Sequence, residues 1–373
     1  MSRLVGTAGE LEKVCAGLRE GGVAALDTEF VWMRTYYPVM GIVQLAGAGG
    51  DGVAFDCRAG AEPKALAELL EDAGTVKILH AAQQDLEHLH GFCGAYPKNV
   101  FDTRVAAGFC GLGAGLGLAK LVQSVLGVEL PKTETRTDWT QRPLTEAQVR
   151  YAMDDVRYLG ELREWLLARA RELGTEAWML EEMGRFDEEA QYEEGAPEEA
   201  WKRMKGGARR LPRRGLAVLR ALAATRERLA REWDLPRAWV TDDGSLLSLA
   251  AHGAGTPLVA GAMRFRHRLR RREKVRELAG AYEKAAWAAW REAEQDWPEA
   301  VEASPQEPAS LPEAMAWLEK LGKETGVDAG LVASKAVLVA FLTGRAEGAP
   351  LAKGWRWKVA GEEICRRWGG GKQ

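Results

Sequence analysis

Paired cysteines are missing from this sequence. Its five cysteines, Cys15, Cys57, Cys93, Cys110 and Cys365, are scattered, odd in number and never spaced as CxxC. That pattern argues against a disulfide framework and a cysteine-rich zinc site, and the expected compartment is the reducing cytoplasm. Long apolar runs are missing too: none reaches the roughly 18 residues that a membrane-spanning helix needs. The N-terminus meets Glu10 and Glu12 before any long apolar core, so no secretory leader is expected. There is no short-period repeat, although the last two helical stretches read as distant copies of one unit. What is present suits a folded, soluble chain: of 373 residues, 46% are hydrophobic and 28% charged. That length gives two or three domains, each with a core.

Charge is unevenly placed. The net value is −3, yet residues 199–278 hold 20 Lys and Arg against 8 Asp and Glu, a local +12 that leaves −15 elsewhere. A contiguous basic block beside an acidic remainder points to a module that grips a polyanion. A solvated charged surface is the plainer alternative.

The first third reads as a mixed α/β sheet. Strand patterns occupy 22–27, 41–47, 52–57 and 76–81, and helical patterns 61–74 and 83–91. From Asp102 the chain reads as helical, interrupted by a polar loop over 128–143. A helix is expected from Thr145, which with Gln148 forms a capping box, through to Gly174. An acidic connector (181–200), a basic helical module (201 to about 290), a linker marked by Pro305, Pro308 and Pro312, and a last helical stretch follow. The sheet and its helices look complete by about residue 195, so a chain cut there is expected to fold.

Several residues carry chemistry only in combination. Asp27 and Glu29 lie two apart at the end of an apolar strand, hence on one face. Two carboxylates there repel, and a cation removes the cost; a solvent-facing strand end would look the same. Tyr151 and Asp155 lie four apart on the capped helix, on one face, with Asp154 about 100° around. Asp85 opens a helix, where the dipole alone favours an acid. His80, His88, His90 and Cys93 lack the paired spacing of a zinc site. Asp102 in FDT reads as an N-cap. Trp139, in the RTDW loop (136–139), suits either base stacking or pinning the loop. The densest basic run, 264–274, suits the backbone of a polyanion, and a solvated helix face would look similar.

In order, Asp-x-Glu on the first strand, Asp at a helix start and Tyr-x3-Asp on a late helix match the four-acid exonuclease signature with its tyrosine. ALDTEF, RTYYP, GIVQL, KILHA with QDLE, FDT, RTDW, RPL and YAMDDVRYL follow in sequence across 22–159. On these motifs the chain resembles the ribonuclease D family, in the tyrosine-bearing branch of the DEDD exonuclease superfamily. WKRMKG, the AVLRALAATRERLARE segment and DLPRAWVTDDGSLLSLA resemble an HRDC domain, and the final stretch a divergent second copy.

The resemblance implies a ribonuclease H-like mixed-sheet exonuclease domain over 1–197, an HRDC domain over 198–300 and an HRDC-like domain over 301–373, both all-α. It makes Asp27, Glu29, Asp85 and Asp155 metal ligands and Tyr151 the residue that orients water. Oxygen donors suit Mg²⁺ or Mn²⁺, and two such ions would balance four carboxylates. A phenol with a reference pKa of about 10 positions water better than it deprotonates it. The implied activity is two-metal 3′→5′ exoribonuclease hydrolysis that releases nucleoside 5′-monophosphates. The implied partner is RNA with a free 3′ end, tRNA precursors above all, with no membrane and the enzyme a monomer. The rivals are a DNA exonuclease with the same site and a nucleic-acid-binding module with a decayed one.

Overall fold

The computed structural model describes residues 3–131, 137–252, 272–300 and 306–370. The chain forms two compact units. One comprises Met1–Val31, Met40–Tyr192 and Pro305–Gln373; the other comprises Trp32–Val39 and Glu193–Ser304.

Among the described residues the first unit is built on six strands: β1 (Arg3–Val5), β2 (Val23–Val31), β3 (Val39–Ala46), β4 (Gly52–Asp56), β5 (Val76–Leu79) and β6 (Val100–Asp102). Their order is β1-β4-β3-β2-β5-β6. β3 runs antiparallel to β4, whereas β1/β4, β2/β5 and β5/β6 are parallel, so the sheet is mixed as expected. β2 lies inside the sheet, and its Ala24, Ala25 and Leu26 are fully buried. Among the described residues, eight helices of this unit precede residue 184: α1 (Ala8–Gly21), α2 (Lys64–Glu71), α3 (Gln83–Cys93), α4 (Thr103–Ala107), α5 (Leu118–Leu126), α6 (Glu146–Arg157), α7 (Leu159–Leu173) and α8 (Glu176–Met183).

The helix expected over 145–174 is two helices. Thr145 caps α6 in a full capping box with Gln148, but α6 ends at Tyr158, which is also the N-cap of α7. The turn between β3 and β4 presses on this junction. A Cβ on Gly50 would lie 2.2 Å from the Arg157 carbonyl oxygen, and one on Gly160 2.4 Å from that of Ala48. Only glycine permits so close a backbone approach.

The second unit is helical: α9 (Lys205–Ala208), α10 (Arg213–Glu232), α11 (Arg237–Val240), α12 (Asp243–His252) and α13 (Arg272–Trp290). Trp201, Leu219, Leu222, Leu246, Leu278 and Tyr282 lie in its core. The segment 32–39, which includes the whole RTYYP motif (34–38), belongs to this unit. Tyr36 donates its hydroxyl to Glu227 Oε1 at 2.5 Å and accepts from Arg237 at 2.7 Å and Arg231 at 3.1 Å. Burial disfavours the Glu227 charge, but hydrogen bonds from Arg237 and Tyr36 overcome it and bring the carboxyl down to about 2. The basic run 264–274 lies almost wholly outside the described residues.

The chain after residue 305 returns to the first unit as α14 (Leu311–Thr325), α15 (Ala329–Val332), α16 (Lys335–Leu342), α17 (Gly354–Arg356) and α18 (Glu362–Trp368). These helices share the core of the sheet-bearing unit. Trp355 is 2% exposed and meets Phe109 edge-on at 4.9 Å. Buried Glu182 of α8 accepts the Arg356 guanidinium at 2.7 and 3.0 Å and the Trp355 indole N–H at 2.9 Å. A chain cut near residue 195 therefore loses part of this core, which the sequence reading takes as complete by then. Apolar spacing marks these helices as buried without saying against what.

Candidate active site

Alternation along β2 and the 3.6-residue turn of α6 converge on one point. Asp27 and Glu29 project from one face of β2 and Asp155 from α6, and each offers an oxygen within 4.8 Å of the others. Among the described residues this is the only such group of three or more potential metal ligands. Asp85, on the first turn of α3, stands outside this tightest group, but its charge bears on Asp27, Glu29 and Asp155. Its Oδ1 accepts a hydrogen bond from the Thr28 hydroxyl. Sequence reading missed Thr28; its signal was a hydroxyl between two acids at a strand end.

The electrostatics of the cluster are those of crowded, desolvated carboxylates. Burial, then the charges of Asp85, Asp155 and Glu29, hold the Asp27 carboxyl well above the usual range. Burial and its acidic neighbours push Glu29 up to about 8. Asp155 rises to about 7 through burial and the charges of Asp154 and Asp85. Asp85 rises to about 6 through burial, which outweighs the hydrogen bond from Thr28. Ionised together, these groups repel, and an oxygen-loving divalent cation fits the donor set.

Tyr151 lies one turn before Asp155, its ring stacked on Trp139 with centroids 6.3 Å apart and planes 30° apart. Trp139 is only 3% exposed, which favours pinning over base stacking. Arg142 secures the same loop with a fork onto Asp56 at 2.5 and 2.8 Å and bonds to the carbonyls of Trp139 and Gly41. Arg136 lies outside the described residues. The far face of α6, with Glu146, Arg150, Asp154 and Arg157, borders an open depression of about 1130 Å³ that contains none of the four acids.

The remaining candidates are structural. His80 Nδ1 lies 3.0 Å from Thr103 Oγ1 and its Nε2 3.1 Å from the Leu116 carbonyl. His90 bonds the Ala95 carbonyl, and His88 packs edge-on to Phe30 at 4.1 Å. The Cys93 thiol donates to Leu89 O. Asp102 is the N-cap of α4.

The family model described as "3'-5' exonuclease" matches residues 3–170. Ribonuclease D of Pseudomonas paraeruginosa is 36% identical over 361 residues, covering 95% of this chain and 94% of that one. Ribonuclease D of Jannaschia sp. is 33% identical over 370 residues, 98% and 95% of the two chains. That of Desulfotalea psychrophila is 41% identical over 248 residues, 66% of each. The crystal structure of Escherichia coli RNase D superposes with a TM-score of 0.84 at 29% identity, over 99% of both chains. An exonuclease domain of this type, with its cluster of carboxylates, implies a divalent metal ion. Relatives aligned from end to end, and the acids drawn together where β2 meets α6, lead to one conclusion: the chain belongs to the ribonuclease D family and is a 3′→5′ exoribonuclease.

Proposed function

We propose that Asp27, Glu29, Asp85 and Asp155 hold two divalent cations, Mg²⁺ or Mn²⁺, and that the enzyme removes nucleoside 5′-monophosphates one at a time from RNA 3′ ends. The observation that carries this is the convergence of Asp27, Glu29 and Asp155 to within 4.8 Å, with their carboxyls held above the usual range. When bound, such cations neutralise charge on the phosphate and lower the pKa of the attacking water. Thr28 orients the Asp85 carboxylate by its hydrogen bond. The Tyr151 hydroxyl holds the attacking water, and Trp139 fixes the tyrosine ring.

The substrates we propose are tRNA precursors and other small structured RNAs. The solved Escherichia coli relative is described as an exoribonuclease involved in structured RNA processing. We assign residues 1–197 to the exonuclease domain, 198–300 to an HRDC domain and 301–373 to a divergent HRDC-like domain. The basic stretch 199–278 grips phosphate. The enzyme works as a cytoplasmic monomer. Among the described residues no helix is long and apolar enough to cross a membrane.

Matched RNA and DNA oligonucleotides, digested side by side with Mg²⁺ and with EDTA, test the reading. RNA should be degraded from the 3′ end only when metal is present. Faster digestion of DNA, or unchanged digestion in EDTA, would contradict it.

A further inference from the structure

The acids of the site come from three elements, and the junction that delivers Asp85 is the least regular. Between Leu79, the last residue of β5, and Gln83, the first of α3, the chain passes through Ala81 at φ 62°. An alanine side chain disfavours that left-handed region. α3 also begins without a side-chain cap, since Ala82 occupies its N-cap position.

One side chain from the neighbouring strand answers both deficits. Asp102 ends β6, in register with Leu79, and is 2% exposed. Its Oδ1 accepts the Ala81 N–H at 3.0 Å and its Oδ2 the Ala82 N–H at 2.9 Å. Oδ1 also accepts from Arg104 N–H at 2.8 Å and Val105 N–H at 3.3 Å at the start of α4. The next residue extends the grip: the Thr103 hydroxyl donates to the Leu79 carbonyl at 3.1 Å and meets His80 Nδ1 at 3.0 Å. Capping α4 engages Oδ1 alone. Oδ2 is turned to the β5–α3 junction, three residues before Asp85, and Asp85 sits on the first turn of α3 with no hinge between.

We propose that Asp102 is a positioning residue for metal binding: it holds the β5–α3 junction in the conformation that sets the Asp85 carboxylate beside the other acids. The inference rests on Asp85 being a ligand. Asp102→Asn keeps the shape but retains one acceptor oxygen, and its NH₂ then faces a backbone N–H, donor against donor. Residues that orient metal ligands typically contribute 10- to 100-fold in affinity.

The test is Mn²⁺ binding, followed by the electron paramagnetic resonance of the free ion, to the metal-free full chain. The proteins are wild type, Asp85→Asn, Asp102→Asn and the double variant Asp102→Asn/Ala81→Gly, with thermal unfolding measured alongside. Glycine accepts φ 62° without a side-chain penalty, so Ala81→Gly offsets part of the stability that Asp102→Asn loses. Asp85→Asn and Asp102→Asn should each bind Mn²⁺ about 10-fold or more weakly. The double variant should regain thermal stability but not Mn²⁺ affinity, because the junction is then permitted rather than held. Folded Asp102→Asn, or the double variant, with Mn²⁺ affinity within about twofold of wild type would reduce Asp102 to a cap and a support for Ala81. Normal Mn²⁺ binding by Asp85→Asn would instead remove the ligand assignment beneath the inference, whatever Asp102→Asn does.

Discussion

Replacing Asp27 by Asn should stabilise the metal-free protein while it destroys activity. The folded carboxyls of Asp27, Glu29, Asp85 and Asp155 all lie above their ordinary values, with Asp85 at about 6, Asp155 at about 7 and Glu29 at about 8. Between about pH 4 and pH 8 the native state therefore binds more protons than the unfolded chain, and metal-free stability falls as pH rises through that window. At about 1.4 kcal/mol per pKa unit, raising Glu29 from 4.5 to about 8 costs at most about 5 kcal/mol at pH 8. Glu29 is raised by burial, Asp155 and Asp85, whereas Asp27 is itself raised by burial, Asp85, Asp155 and Glu29. With shared protons, relieving those repulsions by Asp27→Asn returns only part of such a cost, roughly 1–3 kcal/mol.

Thermal unfolding in EDTA, followed by near-ultraviolet circular dichroism at pH 5 and pH 8, reads this directly. Asp27→Asn should melt several degrees above wild type at pH 8 and less far above it at pH 5, where more of the cluster's carboxyls are protonated and their repulsion is weaker. Adding Mg²⁺ at pH 8 should raise the wild type more than the variant, because only the wild type keeps the full set of proposed ligands. A variant less stable than wild type by the same amount at both pH values would refute the reasoning: Asp27 would then be a packing residue whose charge the fold already satisfies.

The other expectations concern separate parts of the molecule. Tyr151→Phe should lower kcat by about 10- to 1,000-fold while leaving RNA and Mn²⁺ affinity within twofold or so, as steady-state kinetics and metal titration would show; weakened RNA binding at normal kcat would place the hydroxyl elsewhere. Trp355→Ala should cost about 3–5 kcal/mol in chemical denaturation, since the ring is buried in the core of the sheet-bearing unit, and an unchanged midpoint would mean that the C-terminal helices do not support it. Replacing Arg264, Arg266, Arg268 and Arg270 by Gln should flatten the salt dependence of tRNA binding by about one log–log unit for each phosphate that is no longer neutralised; an unchanged slope would make that run a solvated surface.

What the sequence disclosed about the site follows from short-range geometry. Asp27 with Glu29 and Tyr151 with Asp155 are two- and four-residue spacings, and strand and helix turn each into a shared face without tertiary information. The Thr145–Gln148 capping box was legible for the same reason and is fully formed. Elements were missed where regularity is short or supplied from outside. β1 is three residues long and persists by pairing with β4, and β6, equally short, by pairing with β5. α1 was missed despite a signal: Thr7 and Glu10 form a capping box ahead of the buried Leu11, Cys15 and Leu18. The break at Tyr158, the sharing of one core by residues before 193 and after 305, and the placing of 32–39 among the helices of 193–304 all depend on interactions distant in sequence. So does Asp102, whose N-cap role was readable in FDT while its hold on Ala81 and Ala82 was not.

The central claim is that the acids gathered between β2 and α6 hydrolyse RNA from its 3′ end, and the most direct test is product analysis with wild type and Asp155→Asn. An RNA with an unpaired 3′ tail and a labelled 5′ end is incubated with Mg²⁺, and both the shortened RNA and the released nucleotides are identified. Wild type should give RNAs shortened stepwise from the 3′ end together with nucleoside 5′-monophosphates, and folded Asp155→Asn should give neither. Near-normal turnover by Asp155→Asn, or internal cleavage and 3′-phosphate products from the wild type, would contradict the account.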